Sequence, residues 1–153
     1  MSSEATLNMK KFNQIMKALE KVPTIRVGIL GNSNARNDGN TNAEIGAKHE
    51  FGKDGMPERS FLRMPMTTEF PKALEGSQLF DAETLKKVAE EKSTEQWARK
   101  IATVAEGVVQ EAFSSRGFGN WKPHAPGYEN HTGQVLVDTQ QLRNSITSEV
   151  KIK

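Results

Sequence analysis

Apolar residues recur at helical spacing through Met9, Phe12, Ile15, Met16 and Leu19, separated by polar residues and followed by Pro23. This pattern predicts a short amphipathic helix. Thr24 to Leu30 is rich in β-branched residues that alternate around Arg26, and reads as a strand. The polar, glycine-containing run from Gly31 to Thr41 reads as a mobile loop, as do residues 1–8. Asn42 to Phe51 suits a helix capped by Asn42 and ended by Gly52. Pro57 and Pro65 bracket a piece expected to be extended from Ser60 to Met64. A helix is expected after Thr67 or Thr68, with Pro71 in its first turn.

Phe80-Asp81 opens a further helix, with Asp81 as cap and Phe80 and Leu85 spaced as a hydrophobic staple. Ser93 and Gln96 have capping-box spacing at the start of the longest predicted helix, which runs to about Phe113. Its apolar stripe is Trp97, Ile101, Val104, Ala105, Val108 and Ala112, expected to pack on a sheet made by strands 24–30 and 145–152. Glycines and prolines make 115–133 largely loop. Gln134 to Val137 leads into a short helical turn over 139–144. No repeat or low-complexity tract is present. The pattern as a whole predicts one α+β domain: a small antiparallel or mixed sheet packed by one long helix and several short ones, with long loops.

Composition changes this picture in one respect. A chain of 153 residues with 35% apolar and 26% charged positions can bury a core, yet is polar for its size. That fits either a small core with long excursions or a subunit whose surface is partly covered by neighbours, the second being the preferred reading. The 21 basic and 19 acidic residues are dispersed, so the basic stripe of a sequence-reading nucleic-acid binder is missing. Cysteine is absent, which removes disulfides, thiolate nucleophiles and thiolate metal sites together. No basic-then-apolar leader opens the chain, and no window approaches the ~18 consecutive apolar residues of a membrane span, so a cytosolic, soluble protein is expected.

Candidate chemistry is thin. His49-Glu50 begins a zinc-protease pattern, but the second histidine is replaced by Lys53, leaving the polar, exposed end of a helix. His124, Glu129 and His131 share a loop rich in proline and glycine that does not organise a metal site. Gly28, Gly31 and Gly39 follow a strand without the spacing of either nucleotide fingerprint. No Gly-x-Ser-x-Gly elbow occurs, and Asp81, Glu83, Glu90 and Glu91 read as a solvated face among lysines. The expectation is no enzyme, no cofactor and no metal. Arg59 reads either as a surface arginine or as a bidentate anchor to a carboxylate in the fold or on a neighbour. Trp121 reads as a core plug or an interface anchor.

Two segments carry a resemblance. A strand ending in Val27-Gly28-Ile29, a helix closing with His49-Glu50-Phe51-Gly52, and the run Met56-Pro57-Glu58-Arg59-Ser60-Phe61-Leu62-Arg63 resemble the first half of the neck and tail-completion proteins of tailed bacteriophages. Trp121-Lys122-Pro123, Thr132, and Leu136-Val137-Asp138-Thr139-Gln140-Gln141-Leu142-Arg143-Asn144-Ser145-Ile146 resemble the second half. The likeness spans about Ile25 to Val150. One departure is Gln140, where the family commonly carries glycine.

The resemblance implies a non-enzymatic virion protein at the head–tail junction, made in the host cytoplasm. It would form a six- or twelve-fold homo-oligomeric ring around the DNA channel, between head-closure or connector proteins and tail-terminator or tail-tube proteins. Genomic DNA would pass without sequence-specific contact, and no membrane is implied. The residues it marks as interface or shape-defining are His49, Phe51, Gly52, Pro57, Arg59, Phe61, Leu62, Trp121, Pro123, Leu136, Thr139, Leu142, Ser145 and Ile146. A virion-associated small hydrolase and a non-specific DNA-binding module are the competing classes; the first needs a catalytic constellation, the second a steep salt dependence of affinity.

Overall fold

The structure is a computed structural model that describes residues 9–10, 13–14, 16–17, 20, 23–31, 36, 39–91, 93–128, 133, 135–136 and 140–152. In chain order the elements are strand β1 (Thr24–Ile29) and helices α1 (Asn42–Phe51), α2 (Arg63–Thr68), α3 (Phe70–Gly76), α4 (Ala82–Glu91), α5 (Glu95–Ser114) and α6 (Gln141–Asn144), closing with strand β2 (Ile146–Lys151). The strands pair antiparallel from Thr24↔Lys151 to Ile29↔Ile146, so distant parts of the chain meet in one ribbon. This is the α+β arrangement that the periodicities predict. Of the N-terminal helix, Met9, Lys10, Asn13, Gln14, Met16 and Lys17 are helical, with Met9 and Met16 exposed; Phe12, Ile15 and Leu19 lie outside the described residues. So do residues 1–8 and, from the polar loop, 32–35 and 37–38.

A two-stranded ribbon is not stable alone; it needs a helix to cover one face. That helix is α5, which packs against both strands. Its buried positions are Ala98, Ile101, Ala102, Ala105, Val108, Val109, Ala112 and Phe113. The buried face therefore takes in more alanine than the predicted stripe, which allows close approach of the backbone. Only the C-terminal half joins the main core, where Val109, Ala112 and Phe113 meet Phe61, Trp121, Val135, Leu142 and Ile146. Trp97, expected on the sheet, instead docks on the turn before α4. Its Nε1–H donates to the Leu79 carbonyl at 2.8 Å, and its ring meets Phe80 edge-on at 5.2 Å.

Helix boundaries show where local chemistry competes. The cap of α1 is Thr41 rather than Asn42: the Thr41 hydroxyl accepts from Glu44 N–H at 3.1 Å while the Glu44 carboxylate accepts from Thr41 N–H at 2.9 Å. Asn42 is the first helical residue, buried, and its Oδ1 accepts from Arg36 at 3.0 Å. The reciprocal capping box satisfies two orphan donors, which a single Asn42 cap would not. Asp81 does cap α4, accepting from Thr84 N–H at 2.7 Å. At α5 the Ser93 hydroxyl accepts from Glu95 N–H at 3.3 Å, and Thr94, not Ser93, holds the cap position.

The largest difference is the Ser60–Met64 piece. It was expected to be extended, yet α2 begins at Arg63 and carries Pro65 inside its first turn. Proline is tolerated there because its missing N–H would have no intrahelical acceptor. The start of α2 depends on a group from elsewhere in the chain.

Candidate functional site: an interlocked scaffold beside a basic cleft

Glu50, at the end of α1, is that group. Read from sequence as an exposed polar residue, it is 5% exposed and its carboxylate is turned onto the start of α2. One oxygen accepts from Phe61 N–H at 2.9 Å and Leu62 N–H at 3.0 Å. The other accepts from Arg63 N–H at 2.9 Å and from the Ser60 hydroxyl at 2.6 Å. The Ser60 hydroxyl in turn accepts from Met64 N–H at 2.9 Å. A helix start leaves its N–H groups without partners, and its dipole favours negative charge. Leu62, in the cap position, offers no side-chain acceptor. Glu50 therefore caps α2 from a distance. The signal in the sequence was a helix start with no local cap, a proline at its third position and a glutamate just before a helix-ending glycine.

The turn after Glu50 is equally constrained. Gly52 ends α1 with φ +64°, and a Cβ there would fall 2.7 Å from the Glu58 backbone nitrogen. The chain must double back tightly at this point, and Arg59 N–H then donates to the His49 carbonyl at 2.8 Å.

From Arg59 the scaffold reaches the second motif. Arg59 is 5% exposed, so the surface reading fails, and its partners are not carboxylates. Its Nε–H donates to the Lys122 carbonyl at 3.0 Å and an Nη2–H donates to the Pro123 carbonyl at 2.8 Å. A planar fork suits two adjacent carbonyls that face the same way. Trp121 binds in the opposite direction, its Nε1–H donating to the Ser60 carbonyl at 3.2 Å. Its ring meets Phe113 edge-on at 5.8 Å, and Phe113 lies 5.1 Å from Phe61. Trp121 is thus a core plug, and the two motifs, more than 60 positions apart, close on each other.

Gly117 makes room for the plug: a Cβ there would lie 2.1 Å from the Trp121 Nε1, and φ is +64°. Gly117→Ala should lower stability by about 2–3 kcal/mol, the sum of left-handed strain and overpacking. Denaturant unfolding measures this. A variant within about 0.5 kcal/mol of the parent would show that the indole moves freely, against the fixed plug described above.

The remaining marked residues divide by exposure. Phe61, Leu142 and Ile146 are core residues, while Leu62 and Leu136 pack against that core. Pro57 is half-buried; Ser145 Oγ–H donates to the Leu142 carbonyl at 2.7 Å and closes α6. Gln140 has φ +59°, a conformation glycine adopts more readily than glutamine. Phe51 is 53% exposed, with the Arg63 guanidinium 5.3 Å above its ring. Thr139, Thr132, Val137, Asp138, Glu129 and His131 lie outside the described residues. Among the described residues no cluster of His, Cys, Asp or Glu could hold a metal ion.

On the outer side of this scaffold is a cleft of about 360 Å³ walled by Arg36, His49, Arg59, His124 and Tyr128 over apolar Ile45 and Leu142. His124 and Tyr128 stack at 4.8 Å. Burial, then the positive charge of Arg59, then that of His124, hold the His49 imidazole down at about 4. The unfolded chain takes up this proton near 6.5 and the folded protein near 4, so the unfolded state binds more protons between those values. Stability should be unaffected by His49 above pH 6.5 and fall as pH is lowered from there to 4. After discounting for partial exposure the loss is about 1–2 kcal/mol. The difference between parent and His49→Gln unfolding curves at pH 7 and pH 4.5 isolates it; parallel pH dependence would refute the assignment.

No helix among the described residues is long and apolar enough to cross a membrane. Comparison of the chain with protein-family models, with curated proteins and with solved structures finds no match in any of the three.

Proposed function

We propose that this chain is a structural subunit of a phage head–tail junction, a neck or tail-completion protein that assembles as a ring and joins connector to tail. The observation that carries the reading is the convergence of the two resembling segments. Glu50 to 60–63, Arg59 to 122–123 and Trp121 to 60 form one continuous hydrogen-bonded unit. All of these residues lie in the segments that carry the resemblance, Arg59, Phe61, Leu62, Trp121 and Pro123 are among those it marks, and together they hold backbone in place instead of presenting reactive groups. A closed ring requires one patch to meet a different patch on the next copy. Large apolar side chains exposed at separated positions, Phe51 at 53%, Phe80 at 50% and Ile152 at 44%, supply surfaces of that kind. The partners in this reading are further copies of the chain in a six- or twelve-fold ring, a connector or head-closure protein, and a tail-terminator or tail-tube protein. Genomic DNA passes through the ring without being read.

Phe51→Glu should leave the subunit folded, with stability changed by less than about 1 kcal/mol, because the ring is on the surface. It should fail to restore joined particles when supplied to a phage lacking the protein. Restoration by Phe51→Glu would remove Phe51 from the interface. The decisive experiment is electron microscopy of virions made without this chain. Heads and tails should accumulate unjoined, whereas complete, infectious particles would sink the proposal.

A further inference from the structure

Arg59 is buried, and the partners of its guanidinium among the described residues are backbone carbonyls. It uses two N–H groups on the carbonyls of Lys122 and Pro123. A guanidinium has five such donors, so capacity remains after both are made. No carboxylate pairs with it among the described residues. Its pKa is lowered by burial, with Tyr128 acting in the opposite sense. Buried charges in folded proteins are ordinarily paired, because desolvation without a partner is costly. Arg59 also forms part of the wall of the 360 Å³ cleft, and none of the described residues lining that cleft is acidic. The wall adds Arg36, His124 and the Tyr128 hydroxyl, together with His49, whose buried Nδ1 has no hydrogen-bond partner. Its volume lies in the range of small-molecule sites, roughly 300–1,000 Å³.

We propose that this cleft binds a small organic or inorganic anion through a carboxylate or phosphate group, with Arg59 as the charged anchor and His49 and Tyr128 as hydrogen-bonding partners. The apolar floor of Ile45 and Leu142 accommodates the body of the ligand, and the stacked His124–Tyr128 pair covers one side. Anion and scaffold are coupled, because Arg59 also ties down Lys122 and Pro123. Filling the site therefore stabilises the junction between the two motifs. This inference is independent of the ring: it concerns the isolated subunit and stands or falls without assembly.

The test is ¹⁵N NMR of the unaltered protein, following the His49 imidazole and Arg59 Nε during titration with sodium phosphate and, separately, disodium succinate, with ionic strength held constant by sodium chloride. Saturable shifts at millimolar concentration are expected. Among the described residues, the charged and titratable groups that line the cleft with His49 are Arg36, Arg59, His124 and Tyr128. A bound anion offsets the field of the cations among them, so the His49 midpoint should rise by about one pH unit. Saturation with phosphate alone assigns a phosphate ligand, with succinate alone a carboxylate, and with both a general anion site; each supports the proposal. Shifts that are absent, or that sodium chloride reproduces, overturn it. Tyr128→Phe, at an exposed position that keeps the ring stack, should weaken the saturating titration at least about threefold. An unchanged affinity in that variant removes Tyr128 from the site.

Discussion

Replacing Glu50 with alanine should lower the stability of this protein by about 4–5 kcal/mol, a large part of the 5–15 kcal/mol available to a domain. The change removes the acceptor for the N–H groups of Phe61, Leu62 and Arg63 and for the Ser60 hydroxyl. Each buried donor left without a partner costs about 1–3 kcal/mol, reduced where water enters the space vacated by the side chain. Glu50→Gln separates charge from shape. Its amide oxygen can still serve two donors, but its NH₂ then faces the Arg63 N–H or the Ser60 hydroxyl, donor against donor. A loss of about 2–3 kcal/mol is expected for glutamine, between parent and alanine. Hydrogen exchange provides the local readout: the amides of 61–64 should lose protection in both variants. If they stay protected while global stability falls, the capping role is wrong, because the damage then lies elsewhere in α1.

The second large effect is Ile101→Asp. Ile101 is 8% exposed and sits in α5 among buried Ala98, Ala102 and Ala105. A carboxylate placed there loses its hydration and finds no designed partner, a change of about 4–5 kcal/mol once lost packing is added. Since α5 is the element that covers both strands, its displacement should abolish cooperative melting followed by circular dichroism and calorimetry. Ile101→Val, which removes one methylene, should cost only about 1 kcal/mol. A soluble Ile101→Asp protein that melts cooperatively near the parent temperature would falsify the burial of this face.

These two variants probe different kinds of information. Ile101 was legible in the sequence because an amphipathic period records which side of a helix is wet. Glu50 was not. A glutamate beside a histidine at a helix end has the local pattern of a solvated residue, and only the reversal of the chain at Gly52 brings its carboxylate to residues 60–63. Arg59 shows the same limit: its charge suggested a carboxylate, whereas the fold gave it two backbone carbonyls more than 60 positions away. The Trp97 end of α5 was misplaced for a related reason. The helical period identifies an apolar face but does not say which neighbour covers which turn of it, and here Leu79 and Phe80 do.

Gly52, Arg59, Phe61 and Trp121 work on the shape of the backbone or fill the core beside it, and Gln140 holds a conformation suited to glycine. The interlock explains why these residue types occur together in one chain.

The sequence by itself determined the class of the fold, the two strands, the long helix with half of its buried positions, and the glycine that ends α1, because each is written in short-range periodicity or local backbone preference. Tertiary structure alone decided where α2 begins, what neutralises its N-terminal amides, which partners Arg59 and Trp121 find, and that a basic cleft lies beside them. Those outcomes depend on polar groups far apart in the chain being desolvated together, and a desolvated donor takes whichever acceptor the fold brings within 3 Å.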